Sequence, residues 1–418
     1  MPRLRGATSD YITFERAEPV LGSRRFTLPS DLAGLDSDEL RRAWPGWVAK
    51  RDREIQSRLQ RGEEDSLVNF ILFGVSFTDQ PRVTPETDDR VIRARVRDFL
   101  KGIVAPGRNE RLVWLKALAP AKEPEHYVLE NISRYLAEQQ AYQRALESAP
   151  AESPLASQVY KNRGLSLDTN FRPNYAVEQA LAELKRRGAL TSVQRAAVIG
   201  PGLDFTDKDH GFDYYPLQTL QPFALIDSLF RLGMAKASDL RVAVFDISPQ
   251  TLNHISSAVQ SRRSYTVQMA LDRSRSWTPG TLDYWHKFGD RIGAPVAPLR
   301  APPQVQNVER RAVRIRPEVV RMLDPQPLNI VLQHSSSGYD LIIGTNVFVY
   351  YDAFEQALSM LNIDSMTALG GILLSNNLLE ECPGASLRSI GNMSVEYSNS
   401  ADDADRVEMY SKSAFPRR

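Results

Sequence analysis

Two apolar runs, each followed by a distinctive turn, constrain the fold of this chain more than any other feature. The first run occupies residues 196–199 and stops at the turn Gly200-Pro201-Gly202, and the second, LRVAVFD, ends on Asp246. Glycines after a buried strand let the backbone approach a ligand, and a carboxylate at the tip of the next strand can accept hydrogen bonds from ribose hydroxyls. Together the two features favour a nucleotide-type ligand bound at one edge of a parallel sheet.

The composition is that of a soluble globular protein. The chain has 418 residues, of which 42% are hydrophobic and 25% charged, and this predicts two or three domains with a sizeable core. Its 52 basic and 51 acidic residues are too evenly balanced for a nucleic-acid footprint over the whole surface. No nucleic-acid partner is therefore indicated.

The cysteine, histidine and apolar-run patterns exclude further classes. A single cysteine, Cys382, permits no intrachain disulfide and no Cys-rich zinc site, and the five histidines are too scattered to predict a metal. The N-terminus lacks an apolar signal core, and no apolar run is long enough to span a bilayer. We therefore expect a cytoplasmic protein without a membrane partner.

The N-terminal part of the chain, residues 1–160, is predicted to be mainly helical. A stretch rich in Pro, Ala and Ser at 148–157 is typical of a linker or exposed loop. One predicted helix, at 88–103, carries several arginines. These form either a face for an anionic partner or, as we favour, the solvated side of an amphipathic helix.

From residue 161 to 418 short apolar runs alternate with helical patterns, which predicts a parallel sheet covered by helices. The last two runs are close enough to pair as an antiparallel hairpin. The predicted fold class is α/β: a Rossmann-like mixed seven-stranded sheet with helices on both faces, joined to the helical N-terminal region. The predicted strands are 196–200, 240–246, 328–333, 339–346, 370–377, 393–398 and 405–411.

Four stretches, VIGPGLDF, VAVFDIS, YDLIIGTNVFVYYD and MTALGGILLSNN, carry a resemblance to a known group of proteins. Together they resemble the class I methyltransferases that use S-adenosylmethionine, over roughly residues 170–412. The last two stretches are similar to those of the chemotaxis-receptor glutamate methyltransferases. The N-terminal region shows no match to that subfamily, so its substrate is not carried over.

The resemblance implies S-adenosylmethionine as the cofactor and a role for several residues. Asp246 would bind the ribose, and Gln333 and His334, at the end of the third predicted strand, would lie near the adenine. Asp204 stands where the family has a third glycine and would contact the cofactor's amino group. The remaining implied cofactor residues are those of the glycine turn, the residue after Asp246 and the turn near the sulfonium: Gly200, Pro201, Gly202, Ile247, Asn346 and Val347.

Two insertions, at about 204–220 and 272–310, are predicted to cover the pocket. Asp213 and Tyr215 in the first would touch the acceptor, or would belong to a packed loop. Trp285 in the second would belong to an aromatic lid over the acceptor, or to a satellite hydrophobic cluster.

The candidate catalytic residues are Tyr350, Tyr351 and His286. A tyrosine after the Asn346 turn can orient an acceptor atom, although Asp352 next to it can equally serve as a helix cap. His286 is a candidate general base, but a lone histidine is more often structural. Arg163, Asp168 and Tyr175, ahead of the first strand, are further candidate pocket residues.

Three functions fit these features. The first is a methyltransferase acting on a small molecule or a protein side chain, with an oxygen acceptor (carboxylate or hydroxyl) favoured by the subfamily similarity. The second is an inactive protein of the same fold that binds a partner. The third is an NAD(P)-dependent oxidoreductase, against which Phe205 occupies the third glycine position of the dinucleotide motif.

Overall fold

The computed structural model describes residues 9–84, 87–148, 164–165, 171–206, 213–400 and 403–413. Four features of the sequence analysis lie outside the described residues: Arg163, Asp168, all but the first residue of the predicted linker at 148–157, and the predicted boundary at 160/161. The division of the chain into two domains at that boundary therefore stays a prediction.

Helices and strands alternate through the second half of the chain, whereas helices dominate the first. The helices are α1 (Phe14–Leu21), α2 (Ser37–Phe73), α3 (Asp89–Val104), α4 (Glu110–Lys116), α5 (Pro124–Ser148), α6 (Arg172–Arg186), α7 (Gln221–Arg231), α8 (Pro249–Ser261), α9 (Pro279–Lys287), α10 (Pro317–Val320) and α11 (Ala353–Met366). The strands are β1 (Ser9–Tyr11), β2 (Arg195–Ile199), β3 (Arg241–Asp246), β4 (Tyr265–Asp272), β5 (Gly293–Val296), β6 (Val308–Ile315), β7 (Leu323–Pro327), β8 (Gln333–Ser335), β9 (Tyr339–Gly344), β10 (Thr367–Ser375), β11 (Leu387–Glu396) and β12 (Ala404–Lys412).

Seven strands form the central sheet, in the order β11-β12-β10-β9-β2-β3-β7. The five strands from β10 to β7 are parallel, and β12 is antiparallel to both of its neighbours. The predicted mixed seven-stranded sheet, including the late antiparallel pair, is confirmed. The order also makes β2 the middle one of the five parallel strands, so the ends of β9, β2 and β3 lie side by side.

Both faces of the sheet are covered, as predicted, and the side-chain alternation of β2 shows why. Ala196 and Val198 pack into a core shared with α6 and α7, whereas Ala197 and Ile199 pack into one shared with α1, α2 and α11. The residues that point to either face of the strand are apolar because both faces are buried. The N-terminal helices α1 and α2 thus contribute directly to the core on one face of the sheet.

The third strand of the sheet lies earlier than predicted. The apolar run 328–333 is a turn leading into β8, and the strand is Leu323–Pro327 instead. Pro325 and Pro327 are tolerated in β7 because it is the edge strand. The apolar side chains of the run, such as Ile330 and Leu332, are buried against the N-terminal helices rather than within the sheet, and an apolar run alone does not distinguish the two cases.

The predicted insertion at 272–310 belongs to a second, three-stranded antiparallel sheet of order β4-β6-β5. Its aromatic residues do not form a separate cluster. Tyr284, Trp285 and Phe288 are buried in the same core as α6 and α7.

The arginine-rich helix α3 differs from both interpretations at one position. Arg93 and Arg97 are exposed, as on a solvated face, but Arg95 is fully buried. Its guanidinium donates to the carbonyls of Ile71 at 2.5 Å and Gln80 at 2.8 Å, among others. Arg95 therefore ties α3 to the end of α2.

Candidate functional site

A cleft opens at the carboxyl ends of β2, β3 and β9, where a parallel sheet of this kind binds its ligands. Eight of its lining residues are among those predicted from the sequence. They come from three separate turns: Gly200, Gly202, Asp246, Ile247, Asn346, Val347, Tyr350 and Tyr351. The other lining residues are Leu59, Leu165, Ile199, Phe245, Leu328, Asn329 and Ile330.

The glycine turn after β2 requires glycine for two reasons. Gly200 and Gly202 both have φ of +63°, which is costly for other residues. A Cβ atom on Gly200 would also lie only 2.7 Å from Cγ2 of Val347. The turn after β2 and the turn after β9 therefore touch at a position where no side chain fits.

Asp246 places a buried carboxylate in the cleft. The residue is 6% exposed, and its Oδ1 accepts a hydrogen bond from the backbone N–H of Ser248 at 2.7 Å. Burial raises the pKa of this carboxyl to about 6, although the backbone N–H groups of Ser248, Gly202 and Ile247 oppose the shift. Burial therefore removes water from the carboxylate. Hydrogen bonds donated by the hydroxyl groups of a ligand would offset this loss of solvation.

The turn after β9 is held from two sides. Thr345 accepts a hydrogen bond from Nε2 of Gln221 at 2.7 Å, and Asn346 is bonded to Asn376 beyond the end of β10. Asn346 has φ of +58°, an uncommon conformation for a residue with a side chain. The sequence analysis did not identify Gln221 or Asn376.

Tyr350 and Tyr351 lie on the short 3₁₀ segment Phe348–Tyr350 and immediately after it. Arg58 of α2 donates to the carbonyl of Tyr350 at 2.7 Å, and its guanidinium lies 5.8 Å from the ring centre of Tyr351. Burial raises the pKa of the Tyr351 hydroxyl well above its usual value. Asp352 caps α11 in a capping box with Glu355, as the alternative interpretation of this segment expected.

Helix α2 forms a wall of the cleft, which the sequence did not indicate. Leu59 lines the cleft, and Asp52 accepts a hydrogen bond from Nδ2 of Asn329 at 2.8 Å. Gly62 lets α2 approach the backbone of Leu165 so closely that a Cβ on Gly62 would lie 1.8 Å from the Leu165 carbonyl oxygen. The insertion at 204–220 was predicted to cover the cleft. In the described residues, the N-terminal helix α2 covers it instead.

The predicted adenine residues do not line the cleft. Gln333 and His334 belong to β8, which pairs with β1 at the N-terminus. The positions next to the cleft at this end of the sheet are Leu328, Asn329 and Ile330. Gln333 and His334 were chosen because the third strand was predicted at 328–333, whereas the strand in the structure is Leu323–Pro327.

The first insertion faces the N-terminal helices, in the parts that the structure describes. Asp213 is 1% exposed and accepts hydrogen bonds from Val75 N–H and the Ser76 hydroxyl, so it is not available to a substrate. Tyr215 is also buried and donates its hydroxyl to Asp204 at 2.9 Å. The packed-loop interpretation therefore fits both residues, and Asp204 is occupied within the same loop.

The second insertion does not reach the cleft. Trp285, which was predicted to bind substrate, is 1% exposed within the core and is not among the residues that line the cleft. His286 is exposed and lies near Leu282 O and Glu309 instead of the cleft. Tyr175 is buried against Tyr284. Pro201 belongs to the glycine turn but not to the cleft lining.

Two absences concern the described ranges alone. No group of three or more His, Cys, Asp or Glu side chains there is placed to hold a metal ion. None of the helices in those ranges combines the length and apolar character needed to cross a membrane.

No protein-family model matches the sequence, and no curated protein matches it. Among solved structures, the chain is similar to the N-methyltransferase NodS from Bradyrhizobium japonicum WM9 in complex with S-adenosyl-L-homocysteine, with 12% identity, a TM-score of 0.29, and 66% of this chain and 98% of NodS covered. It is similar to magnesium protoporphyrin IX methyltransferase (ChlM) from Synechocystis PCC 6803 with bound SAM, with 10% identity, a TM-score of 0.28, and coverage of 58% and 80%. It is also similar to MtNAS in complex with MTA and tNA, with 12% identity, a TM-score of 0.25, and coverage of 87% and 98%. These identities and TM-scores are too low to assign an activity or the role of any residue.

Proposed function

We propose that the protein is a methyltransferase that binds S-adenosylmethionine in the cleft at the carboxyl ends of β2, β3 and β9. The observation that carries the proposal is the convergence of three sequence-distant turns. Residues after Ile199, after Phe245 and after Thr345 were assigned to one cofactor site from the sequence, and all three turns line one cleft. A family resemblance without that convergence would be a weaker argument.

The residues present fit this cofactor. Asp246 offers a buried acceptor for the two ribose hydroxyls, and Gly200 and Gly202 leave their side of the cleft open to the methionine part. When bound, the cofactor supplies a methyl group already activated by its positive sulfur. The chain's own task is then to hold the acceptor in line with that methyl group and to exclude water.

The cleft favours an acceptor that needs no deprotonation. Among its described lining residues, the ionisable side chains are Asp246, Tyr350 and Tyr351. Asp246 is assigned to the ribose, and burial raises the pKa of Tyr351, so its hydroxyl is an even weaker acid than that of an ordinary tyrosine. A carboxylate on a small molecule or a protein side chain is already nucleophilic, and this supports the oxygen acceptor that the subfamily similarity suggested.

Calorimetric titration with S-adenosylmethionine, S-adenosylhomocysteine and NADH tests the proposal, with Asp246→Ala as the matched variant. We expect binding of both sulfur compounds to the wild-type protein, a loss of at least about tenfold in Asp246→Ala, and no binding of NADH. Binding of NADH alone would favour an oxidoreductase. A folded protein that binds none of the three would favour the inactive, partner-binding alternative.

A further inference from the structure

The turn that carries Asn346 is held by a side chain that lies outside the cleft lining. Asn376 follows the end of β10, and its amide group contacts both the backbone and the side chain of Asn346. Asn346 is exposed, and its φ of +58° is a conformation that asparagine tolerates better than most residues but that glycine alone adopts without cost. A residue in this conformation persists when its surroundings hold it there.

The hydrogen bonds between the two asparagines have only one consistent orientation. The backbone N–H of Asn346 can only donate, so the Asn376 atom at 2.8 Å from it must be the oxygen, Oδ1. The remaining polar atom of Asn376 is then the donor Nδ2, and the Asn346 atom 2.6 Å away must be its oxygen. The pair therefore fixes the Asn346 amide with its N–H groups directed away from Asn376.

The held turn is the one that touches the glycine turn. Val347 follows Asn346 directly, and its Cγ2 would be 2.7 Å from a Cβ on Gly200. A change in the backbone at Asn346 would move Val347 relative to Gly200. The space between these two turns, where the methionine part of the cofactor is proposed to lie, therefore depends on the conformation at Asn346.

We propose that Asn376 is a positioning residue for cofactor binding: it holds Asn346 in the left-handed conformation, and so keeps Val347 in place against Gly200. This role rests on the proposed function of the cleft. Asn376 acts through Asn346 and is not assigned a contact with the cofactor.

The test compares Asn376→Ala in two backgrounds, with S-adenosylhomocysteine as the probe. In the wild-type background we expect the dissociation constant to rise about tenfold, because Asn346 loses both of its hydrogen bonds to Asn376. In the Asn346→Gly background we expect Asn376→Ala to have less than about a twofold effect, because glycine adopts positive φ without support. Asn307→Gly is the control, because Asn307 also has positive φ, +54°, but does not line the cleft.

Two readouts separate this role from a general loss of stability. The melting temperature of Asn376→Ala should stay close to that of the wild type, since Asn346 is exposed and Asn376 is only half-buried. Hydrogen exchange of the Asn346 amide in the ligand-free protein should accelerate in Asn376→Ala, because its acceptor is gone.

The outcomes distinguish the two proposals. If the wild-type protein binds S-adenosylhomocysteine and Asn376→Ala binds it equally well, the positioning role is overturned while the proposed function stands. An equal loss of affinity in both backgrounds also overturns it, because Asn376 would then act other than through Asn346. If the wild type does not bind the probe, the proposed function fails and the cofactor role of Asn376 fails with it, whatever the exchange rate shows.

Discussion

The buried carboxylate of Asp246 destabilises the folded protein but is the group proposed to bind the ligand. Its carboxylate is buried in a cleft that is otherwise largely apolar, and burial raises its pKa to about 6. The charged form is therefore less favourable in the folded chain than in the unfolded one. A buried ionisable group with a shifted pKa, lying in a cleft, is typical of a binding site.

Replacing this carboxylate should make the ligand-free protein more stable. We expect Asp246→Asn to raise the free energy of unfolding at pH 7.5 by on the order of 2 kcal/mol, since the amide carries no charge to desolvate. The same variant should bind S-adenosylhomocysteine at least about tenfold more weakly. Calorimetry measures both, with the exposed Asp239→Asn as the control. A destabilised Asp246→Asn would show that the carboxylate is a structural element.

The stabilising effect of Asp246→Asn should depend on pH. The pKa of an unfolded aspartate is about 3.9 and that of Asp246 in the folded protein is about 6. The folded state therefore binds the proton more tightly than the unfolded state between these two pH values. The contribution of Asp246 to stability is therefore most favourable below pH 4 and is lost as the pH rises through 6. Denaturant unfolding of the two proteins from pH 4 to 8 should show their difference growing over this window. A constant difference would contradict the assigned pKa.

Gly200 offers a second test at this scale. Gly200→Ala combines a positive φ with the approach to Val347, so we expect a loss of about 2 kcal/mol in stability and weaker binding of S-adenosylhomocysteine. Gly188 has φ of +70°, and no atom lies within 4 Å of the position its Cβ would take. Gly188→Ala therefore measures the cost of the positive φ alone, without a steric clash. Equal effects of the two variants on binding would argue against a ligand beside Gly200.

At the scale of elements, the sequence predicted most strands of the central sheet, but it did not predict that α2 lies against the cleft. β2, β3, β9, β10, β11 and β12 were recognisable because buried strands are short apolar runs between turn residues. The placement of α2 against the cleft was not, because it depends on close backbone approach at Gly62, and a glycine within a helical pattern does not reveal what it approaches. The same limit applies to 328–333, where apolar residues are buried by tertiary packing without forming a strand.

Two glycines of α2 make the packing testable within one helix. Alanine is favoured over glycine in a helix by about 1 kcal/mol, so Gly46→Ala, which meets no atom within 4 Å, should be stabilising. Gly62→Ala should instead destabilise by about 1–3 kcal/mol, because its Cβ would overlap the backbone of Leu165. Urea unfolding of both variants measures the difference. Similar stabilisation by both would mean that α2 does not lie against Leu165.

At the scale of the molecule, the N-terminal helices and the sheet share a hydrophobic core. Trp44 and Trp47 of α2 belong to the same buried cluster as Ile199 and Phe245 of the central strands. Composition and periodicity predicted a helical region followed by an α/β region, but they carry no information on which surfaces meet. The Rossmann-like sheet and the three turns that line the cleft could thus be predicted, whereas the contribution of α2 to the cleft could not.

The shared core predicts that the first half of α2 and the central strands unfold together. Native-state hydrogen exchange should give the amides of residues 44–55 an opening free energy within about 1 kcal/mol of those in β2 and β3. The exposed hydrogen bonds of the late hairpin strand β11 serve as a comparison, since this edge strand should open more easily. Opening of α2 at much lower denaturant than β2 would contradict a common core.

The three turns of the cleft are proposed to bind one cofactor, and a crystal structure of the protein with S-adenosylhomocysteine is the sharpest test of that proposal. We expect the ribose hydroxyls within about 3 Å of the Asp246 carboxylate, the methionine part along Gly200 and Gly202, and the sulfur near Val347. The adenine should lie against residues 328–330. Ligand density outside this cleft, or an adenine placed against the glycine turn, would contradict the claim.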